Sequence, residues 1–481
     1  MLCKDFAYKG LLKYFEIISS IPRGTFDEGR IADYLCGFAK ERALECHRDA
    51  SNNVFIRMDA SEGRESDPPL LLQGHTDMVC EKNEGVEHDF KTDGLELYES
   101  DGWIRAKGTT LGADNGVAVA AMLYILDGTD GKLESNPPIE CLFTASEEVG
   151  LSGASDFDCS LIKARKMINM DSADESQIIC GCAGAQRVDV SYVPKRIEID
   201  KNMSVLEVFI SGLAGGHSGE DIHRCRANAN KLMGRILQDI LHKQKLNLIS
   251  VNGGSKENAI PRECRALVAV CEKEAFIQRV KEISEDIKTE LCTEDEGFKV
   301  LVLETDPTQK MMCAEDTEKV VFFMSTVQNG VIEMSSNIEG LVEFSRNLGI
   351  INTDEDQIRF VFMSRSAKLS QLKLSFSQIN AYAKMLSMSV KVDNEYPGWD
   401  FAPFSELRDK YSQSYRELCG EDPEITAIHA GLECGVIKNK VPDMDIISCG
   451  PVVINLHSPD EALNIASFER FFEVIKRTIE K

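Results

Sequence analysis

No stretch of the 481 residues approaches the ~20 consecutive apolar residues that a membrane-spanning helix needs, so no transmembrane anchor is expected. The N-terminus, MLCKDFAYKGLLKYFEIISS, lacks a basic segment leading into an apolar stretch and a small-residue cleavage site. It reads instead as a helix with Leu11, Leu12, Phe15 and Ile18 on one face. These two absences predict a cytoplasmic location. Basic residues are in deficit: 54 Lys and Arg stand against 79 Asp and Glu, a formal net charge of −25. Phosphate groups are held by clustered cations, so nucleic acid and membrane surfaces are excluded as partners. The 16 cysteines contain no CxxC pair, which removes zinc ribbons and thioredoxin-type redox sites. Reduced, mostly buried thiols are expected. Tandem repeats and low-complexity tracts are absent as well.

What is present is ordinary globular patterning in two characters. Up to about residue 187, helices (8–19, 27–42, 114–127) alternate with short apolar strands (52–58, 69–74, 139–144, 166–170). That alternation predicts an α/β domain with a mainly parallel central sheet flanked by helices. From VDVSYVPKRIEID onward, strands alternate in polarity, and amphipathic helices follow to about 395. EYPGWD marks a second boundary. Beyond it a helix (404–419), a strand pair (424–429 and 446–454) and a closing helix are expected. The expected architecture is therefore a catalytic domain (1–187 and 398–481) interrupted by an inserted α+β lid (188–397).

The apolar strands end unusually. PLLLQ runs into GHTDMV, where His75 and Asp77 share a face of the strand and aim beyond its C-terminal end. In open α/β sheets ligands bind at that edge. IECLFTASEEVG ends in the adjacent acids Glu147 and Glu148, MINMDS in Asp171, and DIISCGPVVINLHSPDE in His457; TTLGADNG places Asp114 at a helix start. Any one of these reads equally well as a capped strand, a capped helix or a solvated loop. Together, on neighbouring strands, they would gather acids whose mutual repulsion is costly without cations. His75, Asp114, Glu148, Asp171 and His457 offer two imidazoles and three carboxylates, a set that suits two divalent ions bridged by one carboxylate. Zinc is the first choice, with manganese and cobalt as alternatives. Asp77 is placed to orient His75 through its second ring nitrogen. A metal-bridging water would then be the nucleophile and Glu147 its general base.

With those motifs in order, the chain resembles the co-catalytic zinc metallopeptidases that include peptidase T, carnosinase, carboxypeptidase G and the Xaa-His dipeptidases. IPRGTFDEGRIADYL, GGHSGEDI, SKENAIPRE, YPGW and HAGLECG bring it nearest the aminoacyl-histidine dipeptidase subgroup. The resemblance implies two metals, a homodimer joined through the lid, and hydrolysis of unblocked L-dipeptides with Xaa-His, including β-alanyl-histidine, favoured. A tripeptidase or aminopeptidase, or an N-acyl-amino-acid deacylase, uses the same chemistry and is the alternative. The resemblance also implies that Asp114 bridges the metals and precedes a cis peptide bond. It implies that His217 helps hold the tetrahedral intermediate, that Asn258 and Arg365 reach the substrate (Arg365 at its C-terminal carboxylate), and that Glu433 lies beside the pocket.

Overall fold

Four apolar runs make the centre of one sheet. Ile139–Thr144, Leu70–His75, Lys166–Asn169 and Asp445–Ser448 lie side by side in that order and run parallel. Nearly every residue in them is buried, as in strands covered on both faces. Because the four are parallel, their C-terminal ends share one edge, with His75 level with Thr144 and Gln73 level with Asn169. Glu45–Arg48 and Val54–Met58 extend the sheet antiparallel on one side; Gln177–Cys182, antiparallel to Asp445–Ser448, and then Glu424–Ile428 extend it on the other.

This computed structural model describes residues 6–128, 133–306 and 310–481. They form two compact units. The first comprises the chain up to Cys182, Gly398–Ala427 and Leu432–Lys481; the second comprises Ala183–Pro397 and Ile428–Gly431. The fold is mixed α/β, with a parallel-centred sheet in the first unit and an antiparallel sheet in the second. Among the described residues no helix is long and apolar enough to cross a membrane, and the fifteen described cysteines are free thiols.

In the first unit the helix Ala113–Asp127 is buried on all sides, Asp114 and Asp127 excepted. An all-round apolar helix of this kind belongs inside a core. It packs against Lys9–Ser19. The closing helix Ile465–Glu480 buries the expected stripe of Phe468, Phe471, Phe472, Ile475 and Ile479. Each such side chain contributes about 1.5–3 kcal/mol of apolar burial.

One expected pairing is different. The strands near 424–429 and 446–454 are not neighbours, because Gln177–Cys182 lies between them. The second stretch also breaks at Gly450-Pro451 into Asp445–Ser448 and Val453–Ile454, the latter in a separate four-stranded sheet. Pro451 cannot donate to a ladder. Gly450 turns so closely over Ser172 that a Cβ there would sit 1.7 Å from its carbonyl oxygen.

The second unit is built on an antiparallel sheet whose strands alternate in burial over most of their length, as in Gly184–Tyr192 from Gln186 and Ser204–Ser211 from Leu206. Ala229–Leu241, Lys273–Glu290, Ala314–Thr326 and Leu369–Met385 cover one face and close a core that includes Val188, Val208, Val268, Phe323 and Phe360.

Candidate metal centre

The shared edge of the four parallel strands collects the acids and imidazoles of the first unit. His75 is the last residue of its strand and 1% exposed. Its Nε2 stands 2.9 Å from Asp114 Oδ1 and 3.6 Å from Asp171 Oδ1. Its Nδ1 faces Asp77, 3.1 Å from the main-chain oxygen and 3.3 Å from Oδ1. Asp77 in turn accepts the N–H groups of Glu147 and Glu148 and the hydroxyl of Thr25. One buried carboxylate therefore fixes both the ring of His75 and the turn that carries the adjacent glutamates.

Asp114 lies between the two imidazoles. Its Oδ1 faces His75 and its Oδ2 faces His457 Nε2 at 3.1 Å. Around it Gly112 takes a left-handed φ of 64°, Asp114 and Asn115 leave helical geometry, and the peptide bond joining them is cis. Asn115 Nδ2 donates to Met170 O at 2.9 Å and to Asp171 Oδ1 at 2.5 Å, which ties the loop to the next strand end.

Two residues that sequence reasoning passed over hold this loop. The Glu461 carboxylate accepts four successive main-chain N–H groups, from Leu111, Gly112, Ala113 and Asp114, at 2.8 to 3.3 Å. The buried Arg23 donates to Thr76 O and Asp77 O from one nitrogen and to Gly112 O from another. Both were in view, in HSPDE and IPRGTF, but nothing about a glutamate or an arginine in a loop foretells which backbone it will grip.

The donors group as metal sites do. His75, Asp114 and Asp171 each bring one ligand atom within 4.8 Å of the others, and so do Asp114, Glu148 and His457; Asp114 is common to both sets. A third set joins His75, Glu147 and Glu148. His457 Nε2 lies 3.1 Å from Glu148 Oε1, yet that buried oxygen has no hydrogen-bond partner. A buried carboxylate oxygen without a partner, beside an imidazole, is a position that a cation would satisfy.

The electrostatics agree. Burial opposes charge on His75, but Asp171, Asp114 and Asp77 outweigh it and hold its pKa well above the ordinary value. The carboxylates of Asp114 and Glu148 beside it push His457 up to about 10. Asp114 is driven far below the usual carboxylate range despite burial, by the two imidazoles. Such a field draws positive charge to the points between these side chains. Glu147 goes the other way: burial first, then the carboxylates of Asp171, Glu433 and Glu148, raise it well above its ordinary value, with His75 opposing. A carboxyl poised to hold a proton is what general acid–base chemistry requires.

Glu433 also belongs to the first unit. It is fully enclosed, and its Oε2 accepts from Gln73 Nε2 at 2.5 Å and from Thr144 Oγ1 at 2.6 Å. Burial raises it to about 7. Gln73 continues through Asn169 to the main chain of Asp171, so Glu433 underpins two strand ends.

The remaining expected site residues lie in the second unit. His217 sits in a two-stranded pair opposite Ala259, and the carbonyl of the exposed Asn258 accepts the Ser218 N–H at 2.8 Å. Arg365, 4% exposed, places Nη2 3.4 Å from His217 Nε2.

Residues 71–481 match the model of peptidase family M20/M25/M40. The chain belongs to that family. It is an enzyme, a hydrolase of a metal-dependent peptidase family, as its motifs implied. The M20 chain is 33% identical over 469 residues to the cytosol non-specific dipeptidase of Escherichia coli (strain K12), covering 97% of this chain and 96% of that one. The crystal structure of aminoacylhistidine dipeptidase from Vibrio alginolyticus superposes with a TM-score of 0.91 at 34% identity, over 99% of this chain and 97% of the other. The aminopeptidase PepT of Bacillus cereus shares the fold at 14% identity, with a TM-score of 0.58 over 99% and 98% of the two chains.

Proposed function

We propose that the M20 chain is a cytosolic dipeptidase that cleaves unblocked L-dipeptides, Xaa-His among them, with two divalent ions. The observation that carries this reading is the position of Asp114, one oxygen toward His75 and the other toward His457. His75, Asp114 and Asp171 would hold one ion, and Asp114, Glu148 and His457 the other. Zinc suits the mixed imidazole and carboxylate set, and manganese or cobalt would also fit. When bound, such ions supply Lewis acidity toward a carbonyl and acidify water.

The chain's own residues supply the rest. Asp77 holds the His75 ring. Glu147 takes the proton of the attacking water and returns it to the leaving amine; its raised pKa suits both directions. In the unit 183–397, which we assign as the lid and dimerisation domain, His217 donates to the oxygen that gains negative charge. Arg365 pairs with the substrate's C-terminal carboxylate, and Asn258 contacts the peptide. Glu433 supports Gln73 and Thr144 from beneath. The names of the E. coli and Vibrio relatives support dipeptides as the substrate class, and the Vibrio name supports histidine at the second position.

The test is release of free histidine from L-carnosine and other Xaa-His dipeptides, beside dipeptides without histidine. Metal-stripped protein is compared with protein reloaded with zinc, manganese or cobalt. Hydrolysis only after reloading is expected. Two bound metals with no dipeptide cleaved would move the assignment to a tripeptidase or deacylase.

A further inference from the structure

Arg365 is a buried cation without an anion. It is 4% exposed, its Nε has no hydrogen-bond partner, Nη1 donates to the Tyr396 hydroxyl at 3.1 Å, and Nη2 faces His217. Among the described residues no carboxylate pairs with it. An enclosed guanidinium left in this state is costly unless an anion arrives.

The sheet of the second unit explains how the neighbours come to face it. Ser345, Arg365, Ala185 and Tyr396 occupy four adjacent strands in a single register row. Residues in such a row share one face of a sheet. Ala185 is small, and across it the Arg365 guanidinium reaches the Tyr396 ring. Two glycines let these groups come close together. A Cβ on Gly431 would lie 2.7 Å from the Tyr396 ring, and one on Gly219 would lie 2.5 Å from His429 O and 3.2 Å from Arg365 Nε. GGHSGED, YPGW and HAGLECG thus converge on Arg365.

The groups around Arg365 are donors with hydrogens to spare. The Tyr396 oxygen accepts from Arg365, so its own proton is left to donate. The Glu220 N–H donates to His217 Nδ1 at 3.2 Å, which puts the proton of the neutral ring on Nε2, beside the guanidinium. Arg365, the Tyr396 hydroxyl and His217 Nε2 are donors with no carboxylate among them, a set that suits an anion, and the planar fork of an arginine matches a carboxylate.

We propose that Tyr396 is a specificity-determining residue: its hydroxyl and the Arg365 guanidinium together receive the substrate's free C-terminal carboxylate, so that this pair sets the requirement for an unblocked C-terminus. The proposal rests on the dipeptidase reading above. It adds Tyr396 and the row that positions it, neither of which the chemistry at the metal centre calls for.

The test compares wild type, Tyr396→Phe and Arg365→Met, metal-loaded, on one unblocked dipeptide and on its C-terminal amide. Where amide turnover is too slow to read, its inhibition constant against the free acid is used. Phenylalanine keeps the ring and removes only the hydroxyl, and thermal melting checks that the fold is intact. Tyr396→Phe is expected to raise KM for the free acid about tenfold, with kcat within about twofold and the amide unaffected. In the Arg365→Met background the same change is expected to do little, because the two groups share one ligand. An unchanged KM for the free acid, or equal losses on acid and amide, would overturn the assignment to Tyr396. If Arg365→Met also leaves the acid-to-amide preference intact, carboxylate recognition by this unit fails as a whole. A wild-type enzyme inert to every dipeptide fails the reading beneath it.

Discussion

Glu461, four residues after His457, accepts at 2.9 Å the N–H of Gly112, two residues before Asp114. With its bonds to Leu111, Ala113 and Asp114, one carboxylate binds together the two segments that present these donors. Glu461→Gln leaves one acceptor oxygen and turns an NH2 group on N–H donors. Two unsatisfied buried donors at about 1–3 kcal/mol each give an expected loss of about 2–6 kcal/mol. Because Asp114 is no longer held, metal affinity should fall about 10- to 100-fold. Thermal melting and metal titration read the two effects separately; intact metal affinity would show that Glu461 serves stability alone.

Glu147→Gln keeps the size of the side chain and removes its ability to accept a proton. Turnover should fall about 10²- to 10⁴-fold with metal content unchanged. Metal analysis beside kcat decides the matter. If the ions are lost together with activity, Glu147 is a ligand rather than the base, an outcome to which its grouping with His75 and Glu148 gives real weight.

Much of the first unit could be read from the sequence, because its signals are local. Runs such as IECLFT and LLLQGH can only be strands covered on both faces, and the polar residues that end them mark one edge of a parallel sheet. His75, Glu148 and Asp171 follow from that edge, whereas Asp114 stands at a helix start and His457 beyond a strand of a separate sheet. What holds them was not readable. Arg23 and Glu461 work through main-chain groups far away in sequence, and pattern carries no trace of such partners. The break at Gly450-Pro451 is visible as punctuation, yet its consequence, a change of sheet, depends on Ser172 crossing beneath it. Glu433 shows the converse: its motif, HAGLECG, is plain in the sequence, whereas its complete burial against Gln73 and Thr144 is a product of packing.

Chelation should destabilise the protein as well as silence it. Asp77, Asp114, Glu147, Glu148 and Asp171 crowd one edge, with His75 and His457 as the nearby imidazoles. Removing divalent ions at pH 8 should lower the melting temperature, and reloading should restore it. A ligand at a thousandfold excess over its Kd stabilises by about 4 kcal/mol. The ion giving the largest shift should also give the highest kcat. A melting curve indifferent to chelator, zinc, manganese and cobalt alike would count against a metal centre at this edge.

His429 predicts an acid-side weakness within the second unit. Its Nε2 lies 2.7 Å from Ser345 Oγ. Burial and the neighbouring Arg365 depress its pKa to about 3, with His217 and His223 adding to the effect. Above its ordinary value of about 6.5, the folded and unfolded states are both neutral at this residue, and it contributes nothing to the pH dependence. Below 6.5 the unfolded chain takes up a proton that the folded chain refuses, so stability falls as pH drops from about 6.5 toward 3, by up to about 1.4 kcal/mol per pH unit. His429→Gln removes the titration and costs about 1 kcal/mol of hydrogen bonding at neutral pH. The variant should therefore melt below wild type at pH 7.5, and the gap should narrow or reverse at pH 5, because all other titrating groups are common to both proteins. Melting curves that stay parallel across that range would mean that the His429 ring is charged in the folded state, which its position beside Arg365 opposes.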